Sequence, residues 1–241
     1  IKNIMISILI PLRNEYENLD EIERIFKDNF NQIEYEVILV NDYSTDNTLD
    51  KAKEIAEKNK NFVVFNNQKK GLGGAINLGI EESNGMFICI MMADLSDDIN
   101  DLKKYYNLMK ENNYDAVFGS RFVRDSIVDG YPIKKLILNR IFNFFVSLIF
   151  LNKYNDYTNA FKIYKTSMIK NFLPLISESF NVFLELPLKV ISRKYKFTTI
   201  PINWRKRKKG EAKFKIKELR SKYLFTLIYC FIEKILLNKK K

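Results

Sequence analysis

Short apolar runs alternate with helically spaced segments over the first 120 residues of this chain. Residues 6–11, 35–41 (YEVILVN), 62–66, 86–92 (MFICIMM) and 116–119 read as strands. Between them, residues 17–29, 46–58, 74–83 and 98–112 carry their apolar side chains at helical spacing. Strands apolar on both faces, separated by helices of this length, predict βαβ units and a mostly parallel sheet covered on both sides. Residues 161–164 and 197–202 are expected to add short strands. In such a sheet, ligands bind beyond the carboxyl ends of the strands. The residues just past each strand are therefore the first candidates for a site: Pro11-Leu12-Arg13-Asn14-Glu15, then Asn41–Asp46, then the Gly71–Gly74 loop, then Asp94, Ser96, Asp97 and Asp98.

Composition removes several chemistries. The 241 residues include no histidine, which excludes a Ser-His-Asp or Cys-His catalytic set and any His-ligated metal. Cys89 and Cys230 both sit inside apolar runs and are too few for a disulfide framework or a Cys-rich zinc site. The net charge of +11 is segregated: residues 1–188 carry 22 basic and 26 acidic side chains, residues 189–241 carry 18 and 3. That concentration points to a functional basic surface for nucleic acid, a membrane or a phosphorylated substrate.

The opening residues, IKNIMISILIPLRNE, lack the basic region and cleavage site of a secretory signal. No apolar run approaches the roughly 20 residues that span a bilayer. Two segments are instead expected as apolar helices with basic rims, suited to lying in a headgroup plane. One is residues 136–151, where Asn139, Arg140, Asn143 and Ser147 form a single polar stripe. The other is residues 223–237, preceded by Lys215, Lys217, Arg220 and Lys222 and followed by Lys239–Lys241. The aromatics near the second (Phe214, Tyr223, Phe225, Tyr229) alternate with Leu and Ile, which disfavours a stacking platform for nucleic acid.

Three motifs carry chemistry. GLGGAINLG (residues 71–79) places glycines before a helix, where backbone can approach a phosphate, although it matches neither G-x-G-x-x-G nor a P-loop. Asp94, at the end of the most apolar strand, is a candidate ligand for Mg²⁺ or Mn²⁺, with Asp97 or Asp98 capping the next helix. Asp42 in VNDYSTDNT is placed to accept hydrogen bonds from a base or ribose.

These segments together resemble glycosyltransferase family 2, in the branch of the dolichyl-phosphate mannose synthases and bacterial polyprenyl-phosphate sugar transferases. PLRNEYEN, EVILVNDYSTDNT, GLGGAINLG, MMADLSDD, VFGSRF, DYTNAFKIY, FLELPLKV and IPINWRKRKKGEAKFK follow the family's order from about residue 6 to 215. The resemblance implies an α/β GT-A fold over residues 1–215. Its nucleotide-sugar half would be 1–120 and its acceptor half 121–215, with an amphipathic helix at 133–151. Residues 216–241 would form a basic, membrane-surface helix and tail.

By the same resemblance, Pro11, Asn14, Glu15, Asp42, Gly71 and Gly73 would hold the nucleotide. Asp94, with Ser96, would bind the divalent cation, Mg²⁺ or Mn²⁺. Arg121 and Arg140 would meet the acceptor phosphate, and Arg205, Arg207 and Lys213 would close over diphosphate and acceptor. Three departures stand out: Met92 replaces the first aspartate of the DXD-like motif, Ser96 replaces a glutamine, and Asn41 and Tyr43 replace Asp and Gly.

The implied activity is inverting transfer of a hexose from a GDP- or UDP-sugar to a polyprenyl phosphate, at the inner face of a membrane. That acceptor is already an oxyanion, so the reaction needs no histidine and no general base. Transfer to a saccharide hydroxyl is the alternative; it needs a carboxylate base, for which Asp97, Asp98 and Asp156 are candidates. A nucleotide-binding relative that lost its chemistry with the aspartate at Met92 is the other.

Overall fold

The computed structural model describes residues 4–207 and 216–239. Seven strands form one sheet in the order β3-β2-β1-β4-β7-β5-β8. They are β1 (Ile6–Leu12), β2 (Tyr35–Asn41), β3 (Phe62–Asn66), β4 (Phe87–Ile90), β5 (Ala116–Ser120), β7 (Lys162–Lys165) and β8 (Phe197–Pro201). All neighbours run parallel except β7, which lies antiparallel between β4 and β5. A parallel pair, β6 (Ile127–Asp129) and β9 (Asn203–Arg205), stands apart.

The helices cover both faces, as strands apolar on both sides require. α1 (Leu19–Asn29), α2 (Thr48–Lys58) and α4 (Ile99–Glu111) bury Phe26, Ile55, Leu102 and Tyr105 against Ile8, Ile10, Val37, Leu39 and Cys89. On the other face lie α3 (Leu72–Glu81), α6 (Thr166–Lys170) and α7 (Val182–Ser192). They pack Ile76, Ile80, Ile169, Leu184 and Leu188 against Leu9, Ile38, Val40, Ile88 and Phe118. Successive residues of β1 thus serve opposite cores, which is why its sequence does not alternate with polar residues. The helix of residues 74–83 starts earlier than its spacing suggests, and the 197–202 segment forms β8, with β9 following it as a separate short strand.

Register brings the strand ends level. Leu12 pairs with Asn41, and Asn41 with Asn66, so the residues after β1, β2 and β3 emerge at one edge. The sheet order reverses at β1, whose neighbours are β2 and β4. That switch point opens the crevice in which ligands of such sheets bind.

α5 (Ile133–Phe150) and α8 (Ile216–Lys239) lie at the periphery. On α5 the buried residues are Asn143, Val146 and Phe150, whereas Ile137, Leu138, Ile141, Phe144, Phe145 and Leu148 are exposed. On α8, Thr226 and Cys230 face α7, while Leu224, Phe225, Ile228, Ile232 and Leu236 are exposed. Among the described residues, no helix is long and apolar enough to cross a membrane.

Candidate active site

A cleft of about 1320 Å³ opens at the switch point. The loops after β1, β2 and β3 contribute Pro11, Arg13, Glu15, Asp42, Lys70 and Gly71. Asp94, Ser96, Asp97, Arg121, Tyr131, Trp204, Lys206 and Arg207 continue its wall. Leu138, Asn139 and Phe142 of α5, Phe183 of α7, and Tyr223, Leu224 and Leu227 of α8 complete it with a largely apolar lining. The rings of Phe142 and Tyr223 meet edge to face at 5.7 Å, closing α5 onto α8.

Asp42 is buried at the end of β2. Its Oδ1 accepts from the Gly71 N–H at 2.7 Å and from Asn67 Nδ2 at 2.8 Å, and Arg13 Nη1 lies 3.7 Å from Oδ2. Gly71 has φ 120°, and a Cβ there would stand 2.7 Å from the Glu178 carbonyl oxygen. The Gly73 N–H donates to that same oxygen at 3.1 Å, and a Gly73 Cβ would fall 1.8 Å from Ser177 O. The glycine-rich loop is therefore not an empty phosphate cradle. Both N–H groups are spent inside the protein, and its glycines permit close packing against the 177–178 loop. Glu185 holds that loop in turn, accepting from Ile176 N–H and Ser177 N–H at 3.1 and 2.9 Å while pairing with Lys189 at 3.0 Å.

Glu15 accepts from Asn18 Nδ2 at 2.8 Å. Asn14 does not line the cleft: its Oδ1 accepts from Thr45 N–H at 2.8 Å, tying the β1 loop to the β2 loop. Tyr43 has φ 55°, in the left-handed region that favours glycine, which accounts physically for the glycine expected at this turn.

At the end of β4, Leu95 also has positive φ, 56°, and turns the chain so that Asp94 Oδ1 accepts from Ser96 N–H at 3.1 Å. Asp94 Oδ2 accepts from Arg207 Nη2 at 2.7 Å, and Arg207 Nη1 lies 3.9 Å from Glu15 Oε1. The Ser96 hydroxyl is buried with no hydrogen-bond partner. One carboxylate plus an orphaned buried oxygen fits a hard cation that takes its remaining ligands from phosphate and water. Among the described residues, no group of three acidic or cysteine side chains offers a fuller cage.

Arg121 is held by Asp156. Its Nε and Nη2 donate to the two carboxylate oxygens at 2.8 and 2.6 Å, and its backbone N–H adds a third bond at 2.9 Å. Burial opposes the guanidinium charge, but Asp156 more than offsets it and holds the group above its ordinary pKa. Of the three carboxylates considered as bases, Asp156 is occupied in this way. Asp98 caps α4 through Asn100 N–H at 2.8 Å. Asp97 alone of the three lines the cleft, and burial together with nearby Asp94 pushes its carboxyl up to about 7. Beneath lies buried Lys162, whose ammonium donates to the carbonyls of Tyr157 and Asn159; burial pushes its pKa down to about 7.

The sequence itself decides the family. The family model described as Glycosyl transferase family 2 matches residues 7–173, more than half of the chain. The chain belongs to glycosyltransferase family 2. Its seven-stranded, mostly parallel sheet is the GT-A fold of that family. A dolichol-phosphate mannosyltransferase of Pyrococcus furiosus is 28% identical over 217 residues, covering 89% of this chain and 60% of the relative. A dolichyl N-acetyl-α-D-glucosaminyl phosphate 3-β-D-2,3-diacetamido-2,3-dideoxy-β-D-glucuronosyltransferase of Methanococcus voltae is 28% identical over 206 residues, covering 81% of this chain and 64% of the relative. The chain thus spans less than two thirds of either relative's length. Among solved structures, glucosyl-3-phosphoglycerate synthase of Mycobacterium tuberculosis is similar in fold, with a TM-score of 0.69. That likeness is 14% identical and covers 94% of this chain and 80% of that one. The mycobacterial structure was solved with Mn²⁺, UDP and glucosyl-3-phosphoglycerate.

Within this family-2 chain, the cleft gathers Pro11, Glu15, Asp42, Gly71, Asp94, Ser96, Arg121 and Arg207. Gly73 packs behind it. Arg140 lies on exposed α5 outside the lining, with its guanidinium 4.9 Å from the Phe122 ring centroid. Arg205 is exposed on β9, and its backbone N–H donates to Ser96 O at 2.9 Å. Lys213 lies outside the described residues. Sequence reasoning missed Lys70, Lys135 and Tyr131, which stand in no motif with a chemical signature, and gave no role to Trp204 and Lys206, although both lie within the segment IPINWRKRKKGEAKFK. It also missed Asp156 as the partner of Arg121, because nothing local links residues 35 positions apart.

Proposed function

We propose that this chain transfers a hexose from a nucleoside diphosphate sugar, GDP- or UDP-linked, to a polyprenyl phosphate, with inversion at the anomeric carbon. The observation that carries the proposal is the continuity of the cleft. It joins Asp42 and Asp94 at the switch point to Arg121, and it includes an apolar lane between α5 and α8. A charged head and an apolar tail are what a lipid phosphate requires of one site. The family, and the dolichol-phosphate acceptor named for the Pyrococcus relative, support the same class.

In this reading, an oxygen of the acceptor phosphate bonds to the anomeric carbon as the bond to the donor diphosphate breaks, and the nucleoside diphosphate leaves with the electron pair. The protein's task is alignment and charge neutralisation. Asp42 fixes the Gly71 turn beside the nucleotide. Arg13, Lys70, Lys206 and Arg207 surround the diphosphate; Arg121 and Lys135 receive the acceptor. Asp94 and Ser96 would hold a divalent cation, which when bound neutralises charge on the leaving diphosphate. A thermal-shift titration tests that site: Mg²⁺ or Mn²⁺ should raise the apparent stability with UDP or GDP present, and should fail to in Asp94→Asn.

The exposed apolar faces of α5 and α8, with Lys134, Lys135, Lys222 and Lys234 on the same helices, suit an anionic membrane surface. The site belongs at the inner, cytoplasmic face in this reading. The activity is tested by offering radiolabelled GDP-mannose and UDP-glucose with polyprenyl phosphate and, separately, with oligosaccharides. Label is expected in the organic-extractable lipid; label confined to oligosaccharide contradicts the proposal. One observation favours that second reading: Asp97 lines the cleft as a base for a hydroxyl acceptor would.

A further inference from the structure

Trp204 is the single tryptophan of the chain. It stands on β9, where its backbone bridges to Asp97, and the N–H of Arg205 beside it is bound to Ser96 O at 2.9 Å. The indole is thereby fixed next to the Asp94–Asp97 turn. It is half-buried and lines the cleft, and its ring centroid lies 5.0 Å from that of Tyr131 at an interplanar angle of 56°. Its Nε1–H donates to no group among the described residues.

Tyr131 connects this ring to the other side of the cleft. The Arg121 guanidinium lies 5.4 Å from the Tyr131 ring centroid. The Tyr131 hydroxyl accepts from Asn139 Nδ2 at 3.0 Å, and Asn139 Oδ1 accepts from the Thr158 hydroxyl at 3.0 Å. The tyrosine is therefore braced from α5 and from the 156–159 loop. Together the two rings span the interval between Asp94 and Ser96 on one side and Arg121 on the other. The transferred sugar must occupy that interval, because in-line displacement places it between the leaving and the incoming phosphate. A tryptophan kept for packing would be buried with its N–H paired. Trp204 is only half-buried, and its N–H has no partner among the described residues.

We infer that Trp204 is the stacking platform for the transferred hexose, braced by Tyr131. Its ring face meets the C–H face of the pyranose, and its unspent N–H meets a sugar hydroxyl. The inference rests on the reading of the cleft as a nucleotide-sugar site.

Because Trp204 is the sole tryptophan, its emission reports on this position alone. The full chain is titrated in Mg²⁺ with UDP-glucose and GDP-mannose, with UDP and GDP, and with polyprenyl phosphate, while calorimetry measures binding in parallel. A nucleotide sugar that binds is expected to change Trp204 emission beyond the change from its own nucleotide; polyprenyl phosphate alone should leave it unchanged. Trp204→Ala should raise the Kd for the nucleotide sugar about five- to tenfold while that for the nucleoside diphosphate stays within about twofold, and Trp204→Phe should restore most of the loss. Equal emission changes from nucleotide and nucleotide sugar, or a change from the lipid phosphate alone, overturn the role of Trp204 and leave the proposed transfer standing. Equal weakening of nucleotide and nucleotide sugar in Trp204→Ala marks a structural residue and likewise overturns it. Absence of calorimetric binding by both nucleotide sugars contradicts this inference together with the reading beneath it.

Discussion

At the scale of single residues, the cleft is built from charges that are already partnered. Arg121 is the clearest case, since it meets a fully buried Asp156 through two side-chain bonds and one backbone bond. Removing one partner of a buried pair strands the other, at a cost of about 3–5 kcal/mol. Arg121→Ala is therefore expected to lower stability by about that much in denaturant titrations, and Asp156→Ala to do the same, with strong non-additivity in the double variant. Activity lost in either single variant would report folding as well as chemistry. Lys162 makes a prediction about pH. Burial lowers its pKa in the folded chain from 10.5 to about 7, so between those values the unfolded chain binds the proton and the folded chain does not. Its penalty is full below about pH 7 and is relieved as pH rises toward 10.5. Stability measured across that window should rise less steeply in Lys162→Met than in the wild type; an unchanged slope would show that Lys162 stays charged.

At the scale of elements, α5 and α8 invert the usual surface helix. Asn143 of the polar stripe turns inward, donating to Asn139 O at 2.8 Å and accepting from Tyr157 N–H at 2.6 Å, while Phe144 and Phe145 point outward with 64% and 56% exposure. Replacing both phenylalanines by serine should leave the melting temperature nearly unchanged, because neither is buried. It should reduce flotation with anionic vesicles severalfold; undiminished flotation would contradict the proposed membrane role of this face. Much of this level was legible in sequence. The apolar runs marked β1 to β5 because strands buried on both faces leave no room for polar alternation, and helical spacing marked α1 to α4. The direction of β7 was not legible, since a four-residue apolar strand carries no sign of which way its neighbours run. The packing role of the glycine-rich loop was not legible for a related reason. Gly71 and Gly73 are required by the backbone at Ser177 and Glu178, about a hundred residues away, whereas glycines before a helix suggest a phosphate. Asp42 and Asp94 were legible as cleft residues because strand-end position and residue type coincide in them. Tyr131 and Trp204 were not, because an aromatic side chain in a sequence does not disclose whether it faces a core or a cleft.

At the scale of the whole molecule, the +11 net charge is the sum of a slightly acidic first 188 residues and a strongly basic remainder. The basic remainder reaches the cleft through Lys206, Arg207 and Lys222, and the outer surface through α8. In the proposed function, charge, cleft and apolar helices serve a substrate that is anionic at its head and hydrocarbon elsewhere. Such an acceptor attacks without a base, which is consistent with a chain that has no histidine. The most direct measurement compares transfer from a radiolabelled nucleotide sugar to polyprenyl phosphate and to hydroxyl acceptors, in the wild type and in Asp97→Asn. Label should enter the lipid phosphate, and Asp97→Asn should keep at least about a tenth of the rate, below the 10²–10⁴-fold loss typical of removing a general base. Label that enters only a hydroxyl acceptor, and is lost in Asp97→Asn, would contradict the account.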